Sequence, residues 1–293
     1  MKENKQKRPR KPKSLENQPG KYDERNVLND LDGRSWLLLT KSFWISESCP
    51  EDKAAYKHPA PFLIKDIEKL ISLFTKQGMI VLDPFAGSGT TLIAADNLKR
   101  KGVGIDLSEE YHQLYLERIA NRKSIPDCVY YVGDSLALLD NVGFVDYIVT
   151  SPPYHNILRN KSKGTRNNNG KNFRMSARDG IIYYSDNNND LGNFENYEDF
   201  LSALKAIMKK GYDCLRDKKY ASIIISDFTV EKKEICVQAD IVKMMQDIGF
   251  QYVGTTVLLQ TVKPLYPFGY PYAYKINHHH QNIISFRKDI ILK

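Results

Sequence analysis

Residues 79–91 read M-I-V-L-D-P-F-A-G-S-G-T-T, and this stretch decides the fold. A short apolar run ends at Asp83, glycines follow at Gly87 and Gly89, and helical periodicity begins at Thr91. An apolar strand feeding a glycine turn that opens a helix starts a strand–helix–strand unit. Outward from it the unit recurs. Residues 91–100 predict a helix, 103–105 a strand ending at Asp106, and 109–121 a helix. Residues 129–132 predict a strand running into Gly133 and Asp134, and 147–150 a strand running into Ser151. Upstream, Phe62, Ile67, Leu70, Ile71 and Phe74 are spaced for a helix over 60–76. Downstream, 197–215 and 237–248 predict helices, and 221–226, 252–259 and 282–286 predict strands. This alternation predicts an α/β fold built on a mainly parallel sheet covered on both faces.

The chain has 293 residues, enough for one large α/β domain with insertions. Its formal net charge of +8 points toward a polyanionic partner, of which nucleic acid is the commonest. Residues 1–25 are expected to form a basic disordered tail and 26–293 the catalytic domain. The four cysteines, Cys49, Cys128, Cys214 and Cys236, lie far apart without a C-x-x-C pair, which speaks against a disulfide framework and against zinc. No apolar run approaches the roughly 20 residues of a membrane span, and the charged start does not resemble a secretory signal. A cytoplasmic location without membrane or metal is the expectation. The histidines 278–280 do not change it, because neighbours on a strand point to opposite faces.

The glycine turn is a ligand site by its position. Gly87 and Gly89 allow a tight bend and let a ligand lie against backbone. Asp106, at the end of the next strand, is placed to accept hydrogen bonds from ribose hydroxyls. A dinucleotide fingerprint would need a third glycine where Leu92 stands, and a phosphate-binding loop would need lysine where Thr90 stands. A ligand with ribose and adenine but no diphosphate suits the pattern, and S-adenosylmethionine is such a ligand. Asp83 is expected to pair with its ammonium and Asp134, followed by Ser135, to meet the adenine amino group. An Asp at a strand end also serves as an ordinary helix cap. The candidate cofactor residues of the turn are Asp83, Phe85, Ala86, Gly87, Gly89 and Thr90.

Residues 151–154 read S-P-P-Y at the end of the fourth strand. Two prolines fix φ and remove two N–H donors, leaving carbonyls free to accept. The Ser151 hydroxyl and the Pro152 carbonyl would both accept from one amino group. Two fixed acceptors favour a tetrahedral nitrogen whose lone pair points at a methyl donor, which is how an otherwise delocalised aryl amine becomes nucleophilic. Pro153 holds the turn, and Tyr154 is placed to stack on a base withdrawn from a duplex. Methylation at ring carbon would need a Cys after Pro, and no Pro-Cys dipeptide occurs.

On these motifs the chain resembles the amino-methyltransferases of DNA, which make N4-methylcytosine or N6-methyladenine. The resemblance runs from about Trp36 to Lys288 and includes H-P-A-P-F at 58–62, G-I-D-L-S-E-E-Y at 104–111, G-D-S at 133–135, T-S-P-P-Y at 150–154 and the closing H-H-Q-N-I-I-S-F-R-K. It implies a Rossmann-like class I methyltransferase with a seven-stranded, mostly parallel sheet and one antiparallel strand. It implies base flipping, double-stranded DNA as partner, and His58, Pro59 and Phe62 around the methionine end of the cofactor. A restriction–modification role would bring a cognate restriction endonuclease as second partner. In many relatives the two main motifs stand in the reverse order.

The stretch 155–193 is polar and Asn-rich and is the expected target-recognition segment, with Arg159, Lys161, Lys163, Arg166, Lys171, Arg174 and Arg178 as candidate DNA-binding residues. Phosphate contact alone would need the same cations. Within the family, Ser before Pro-Pro-Tyr favours cytosine N4 over adenine N6. Residues 263–274, rich in Tyr, would either line the base pocket or pack on a sheet edge. The competing readings are a tRNA guanine-N2 methyltransferase, a protein glutamine methyltransferase and a catalytically silent DNA-binding module.

Overall fold

The structure is a computed structural model that describes residues 19–58, 61–120, 122, 127–155, 187, 189–230 and 233–289. Helix α1 (Gly33–Leu39) is capped by Asp32, whose carboxylate accepts from the N–H groups of Arg34 and Ser35. A short strand β1 (Phe43–Ile45) and a 3-10 helix over Pro50–Lys57 lead to α2 (Ile64–Phe74). Then come β2 (Ile80–Asp83), α3 (Thr90–Asn97), β3 (Lys101–Asp106), α4 (Glu109–Ile119), β4 (Cys128–Val132), α5 (Ser135–Leu138) and β5 (Val145–Thr150). The second half holds α6 (Tyr197–Cys214), β6 (Leu215–Ile225), a small hairpin of β7 (Phe228–Val230) and β8 (Lys233–Ile235), α7 (Val237–Ile248), β9 (Phe250–Leu259) and β10 (His280–Lys288).

The main sheet has eight strands in the order β1-β9-β10-β6-β5-β2-β3-β4. Among the described residues of this sheet only β10 runs antiparallel, pairing with β6 on one side and β9 on the other. The seven expected strands are present, and β1 adds an eighth by pairing parallel to the outer edge of β9. At three residues, β1 is too short to show a period in the sequence, and only its edge partner makes it a strand.

Alternation along each central strand divides two cores. Leu82, Ile148 and Ile284 face α6 and α7, packing with Phe200, Leu204, Met208, Ile241 and Met245. Val81, Tyr147, Val149 and Ile283 face α2 and α3, packing with Ile67, Leu70, Ile71, Leu92 and Ile93. Every residue of β5 is buried, as a strand covered on both faces requires. The strand β6 begins at Leu215, immediately after α6, rather than at residue 221. Its polar start, R-D-K-K, reads as a loop in sequence. It extends because Leu215 pairs with Val145, and Arg216 and Lys219 reach Asp146.

Strand order reverses between β2 and β5, since β2 is followed in sequence by β3 on one side while β5 lies on the other. Such a reversal opens a crevice at the carboxyl ends of the strands. Of the expected tail, residues 1–18 lie outside the described residues; further on, the Lys21 carbonyl accepts from the Gly33 N–H at 3.1 Å and ties this part to α1. Among the described residues, no helix is long and apolar enough to cross a membrane.

Candidate active site

A cleft lies at this reversal. Its walls bring together His58, Pro84, Phe85, Asp106, Ser108, Tyr111, Asp134 and Ser135 from one half of the chain and Ser151, Pro152, Pro153 and Tyr154 from the other. Asn189, Asp190 and Leu191 close it.

The glycine turn is fastened by its neighbours. Gly87 (φ +48°) and Gly89 (φ +75°) both adopt left-handed backbone. A Cβ on Gly89 would stand 2.2 Å from the Tyr115 ring, so no other residue fits there. The Ala86 N–H donates to the Ile105 carbonyl at 2.9 Å, and the Tyr130 hydroxyl donates to the Gly87 carbonyl at 2.7 Å. From α4, Arg118 Nη1 donates to the Ser88 carbonyl at 2.6 Å, Ser88 Oγ at 3.1 Å and Thr90 Oγ1 at 2.8 Å. Burial lowers the pKa of this guanidinium to about 10. In sequence a cation on an amphipathic helix reads as a solvated face, so nothing singles Arg118 out.

The three acids differ in role. Asp83 is fully buried and does not line the cleft. One oxygen accepts from the Thr150 hydroxyl at 2.6 Å and the Phe85 N–H at 3.0 Å, the other from the Thr91 hydroxyl at 2.5 Å. Asp83 thus ties the ends of β2 and β5 and the start of α3 together. Burial raises its pKa to about 6, against the pull of those three donors. Asp106 does face the cleft, holding the Gly87 N–H at 2.8 Å and the Ser108 N–H at 3.0 Å, and burial raises it to about 6 as well. Asp134 is both a helix cap and a cleft residue. One oxygen accepts from the Leu136 N–H at 2.8 Å, the other from Asn189 Nδ2 at 3.0 Å. The Ser135 hydroxyl donates to the Pro84 carbonyl at 2.5 Å, tying β4's exit to the glycine turn.

Of the residues brought in by resemblance, His58 lines the cleft with its ring 4.4 Å from that of Tyr111. Phe62 packs instead with the core around α2 and α3. Ala86, Gly87, Gly89 and Thr90 shape the turn without lining the cleft wall. Pro59 and the basic residues Arg159, Lys161, Lys163, Arg166, Lys171, Arg174 and Arg178 lie outside the described residues.

Tyr154 is nearly buried, its ring edge-on to Phe228 at 5.7 Å. Its hydroxyl accepts from the Ser226 N–H at 3.2 Å and from Gln281 Nε2 at 3.0 Å, and Gln260 Nε2 in turn donates to Gln281 Oε1 at 3.0 Å. These glutamines come from the ends of β9 and β10, far from the tetrad in sequence, and nothing in the sequence marks them. Tyr111 carried a signal, as the last residue of the G-I-D-L-S-E-E-Y motif. Asn189 and Asp190 carried none among so many Asn residues. The 263–274 segment neither lines the cleft nor packs on the sheet edge; Tyr270, Tyr272 and Tyr274 point to solvent. Among the described residues no group of His, Cys, Asp and Glu is arranged to hold a metal ion.

A family model described as DNA methylase, N6_N4_Mtase, matches residues 1–117. The Orphan methyltransferase M.BamHII of Bacillus amyloliquefaciens is 44% identical over 70 residues, 24% of this chain and 26% of that protein. The Type II methyltransferase M2.DpnII of Streptococcus pneumoniae is 36% identical over 99 residues, 33% of this chain and 35% of that protein. The matches thus span about a quarter to a third of the length of these relatives. Among solved structures, TrmN from Thermus thermophilus aligns with a TM-score of 0.51 at 16% identity, over 82% of this chain and 52% of that one, a likeness of fold. The fold is the Rossmann-like class I methyltransferase sheet implied by the resemblance.

Proposed function

We propose, from the match of residues 1–117 to the DNA methylase family model, that the chain is a DNA amino-methyltransferase and methylates an exocyclic amino group of a DNA base, cytosine N4 in preference to adenine N6, with S-adenosylmethionine as methyl donor. One observation carries this reading: the acids of the nucleoside-type wall, Asp106 and Asp134, and the S-P-P-Y tetrad line the same cleft.

The donor set fits the cofactor. Asp106, beside the glycine turn, offers carboxylate lone pairs to ribose hydroxyls, and Asp134 with Ser135, on the same cleft, would meet the adenine amino group. His58 and Tyr111 form an aromatic pair in the same cleft wall, suited to a sulfonium. When bound, the cofactor supplies an electrophilic methyl group, and its sulfur keeps the electron pair of the broken C–S bond. Ser151 Oγ and the Pro152 carbonyl accept the two amino hydrogens and direct the nitrogen lone pair into the cleft. Tyr154 stacks on the extruded base, its ring held in place by Ser226 and Gln281. The amino proton leaves to water after transfer. The serine that opens the tetrad supports cytosine. A companion restriction endonuclease is part of the same proposal.

The experiment supplies methyl-labelled cofactor with duplex DNA or tRNA and digests the products to nucleosides. Label in N4-methylcytosine is the expected result. Label in N6-methyladenine corrects the base; label confined to tRNA overturns the reading.

A further inference from the structure

The connection between β9 and β10 leaves the same sheet edge as the tetrad, and it is built unlike an ordinary surface loop. Its neck is pinned. The Gln260 N–H donates to the His279 carbonyl at 2.7 Å, and Tyr266 and Asn277 exchange two hydrogen bonds of 2.9 Å. Its tip is a tight turn in which the N–H groups of Tyr272 and Ala273 both donate to the Gly269 carbonyl. Gly269 has φ +76°, and a Cβ there would meet the Ala273 carbonyl oxygen at 2.2 Å, so the turn demands glycine. The return limb is braced by His278, whose Nε2 lies 2.7 Å from Glu234 on β8.

This held loop displays aromatic rings to water. Tyr270, Tyr272 and Tyr274 are 81%, 95% and 90% exposed, with Phe268 half-exposed beside them. Clustered exposed rings on a braced scaffold mark a binding surface. The surrounding charge narrows the partner. Within the loop, residues 261–279, the chain has no acidic residue, while Lys263 and Lys275 fall there. Exposed aromatics on a loop that carries two lysines and no acid of its own suit a polyanion with π-faces, which is unpaired nucleic acid. The loop is also joined to the cleft, because Gln260 and Gln281 at its two ends form the chain of hydrogen bonds that reaches the Tyr154 hydroxyl.

We propose that the 261–279 loop grips unpaired bases beside the extruded target, with Tyr270, Tyr272 and Tyr274 as stacking platforms and Lys275 against phosphate. Extruding one base leaves its neighbours and its former partner unstacked, and these are the π-faces the loop meets. The proposal rests on the DNA reading above.

The test uses the whole chain with fluorescein-labelled DNA: a fully paired duplex, and the same duplex with an unpaired central bulge. The Tyr270→Ala/Tyr272→Ala/Tyr274→Ala variant is expected to lose roughly tenfold or more in affinity for the bulged duplex, and the corresponding Phe variant to keep it, since stacking needs the ring and not the hydroxyl. Lys275→Gln lowers the slope of log affinity against log salt by about 0.7 to 0.9. Cofactor affinity stays at the wild-type value throughout. Full affinity of the triple Ala variant for the bulged duplex overturns the proposal. So does wild-type self-association that this variant abolishes in sedimentation, which assigns the rings to a contact between copies. If DNA is methylated while the triple Ala variant binds normally, the loop fails and the functional reading stands. If DNA is never methylated but the bulged probe binds through the tyrosines, the loop stands and the functional reading fails.

Discussion

Thr150, the last residue of β5, donates a 2.6 Å hydrogen bond to the carboxylate of Asp83, the last residue of β2. The bond joins the two strand ends between which the cleft opens. It sets the distance between the glycine turn and the S-P-P-Y tetrad, because each begins one residue further on. Removing the donor with Thr150→Val leaves a buried carboxylate short of one partner, which costs about 1–3 kcal/mol. Urea unfolding measures the loss, and an unchanged midpoint would show that the tie is not structural.

The same carboxyl gives a pH dependence of unusual sign. Asp83 and Asp106 have pKa values raised from the ordinary 3.8 to about 6 by burial. Between those values the native protein binds more protons than the unfolded chain, so the contribution of these groups to stability is full below about pH 4 and is lost as pH rises through 6. Asp83→Asn removes one titration. The stability of this variant relative to wild type is expected to increase from pH 4 to pH 6 and then to level off, as read by unfolding midpoints across that range.

At the turn, Gly89→Ala places a methyl group against the Tyr115 ring and forces a left-handed conformation on alanine. The combined clash and strain destabilise by about 1–3 kcal/mol. Calorimetry shows a lowered Tm, and cofactor affinity falls in the same variant because the turn shifts.

Arg118→Met keeps the helix stem but removes three hydrogen bonds to Ser88 and Thr90. The expected loss is about 1.5–3 kcal/mol for the set, with weaker cofactor binding by isothermal titration. A variant with wild-type cofactor affinity would confine Arg118 to packing.

Tyr154→Ala is expected to reduce turnover severely, by more than tenfold on the scale of a lost base-positioning contact, with cofactor affinity near normal. Tyr154→Phe and Gln281→Ala keep the ring but loosen it, and raise KM for DNA more than they lower kcat. Wild-type turnover by the Ala variant would remove Tyr154 from base stacking.

Much of this arrangement was legible in the chain itself. The strand from 80 to 83, its glycine turn, Asp106, Asp134 and the tetrad each carry local constraints, such as a continuous apolar run, a positive φ or a fixed proline φ, that short segments reveal. Helix α7 was read with its true bounds because Gly249 closes it in left-handed backbone. The strand β1 was not, since three residues acquire a strand conformation only from the edge of β9.

What the sequence by itself determined, then, is the class of sheet, the order of its strands' motifs and the residue types offered to a ligand. Only the tertiary structure decided which acid meets the cleft. Asp83 and Asp106 end strands and Asp134 follows one two residues on, and the three look equivalent in sequence. Asp83 turns inward because Thr91 and Thr150 supply hydroxyls to a fully buried carboxylate, whereas Asp106 and Asp134 find backbone donors at the rim and keep a face on the cleft. The partners that make this difference are separated by up to 67 positions along the chain, and no local pattern brings them together.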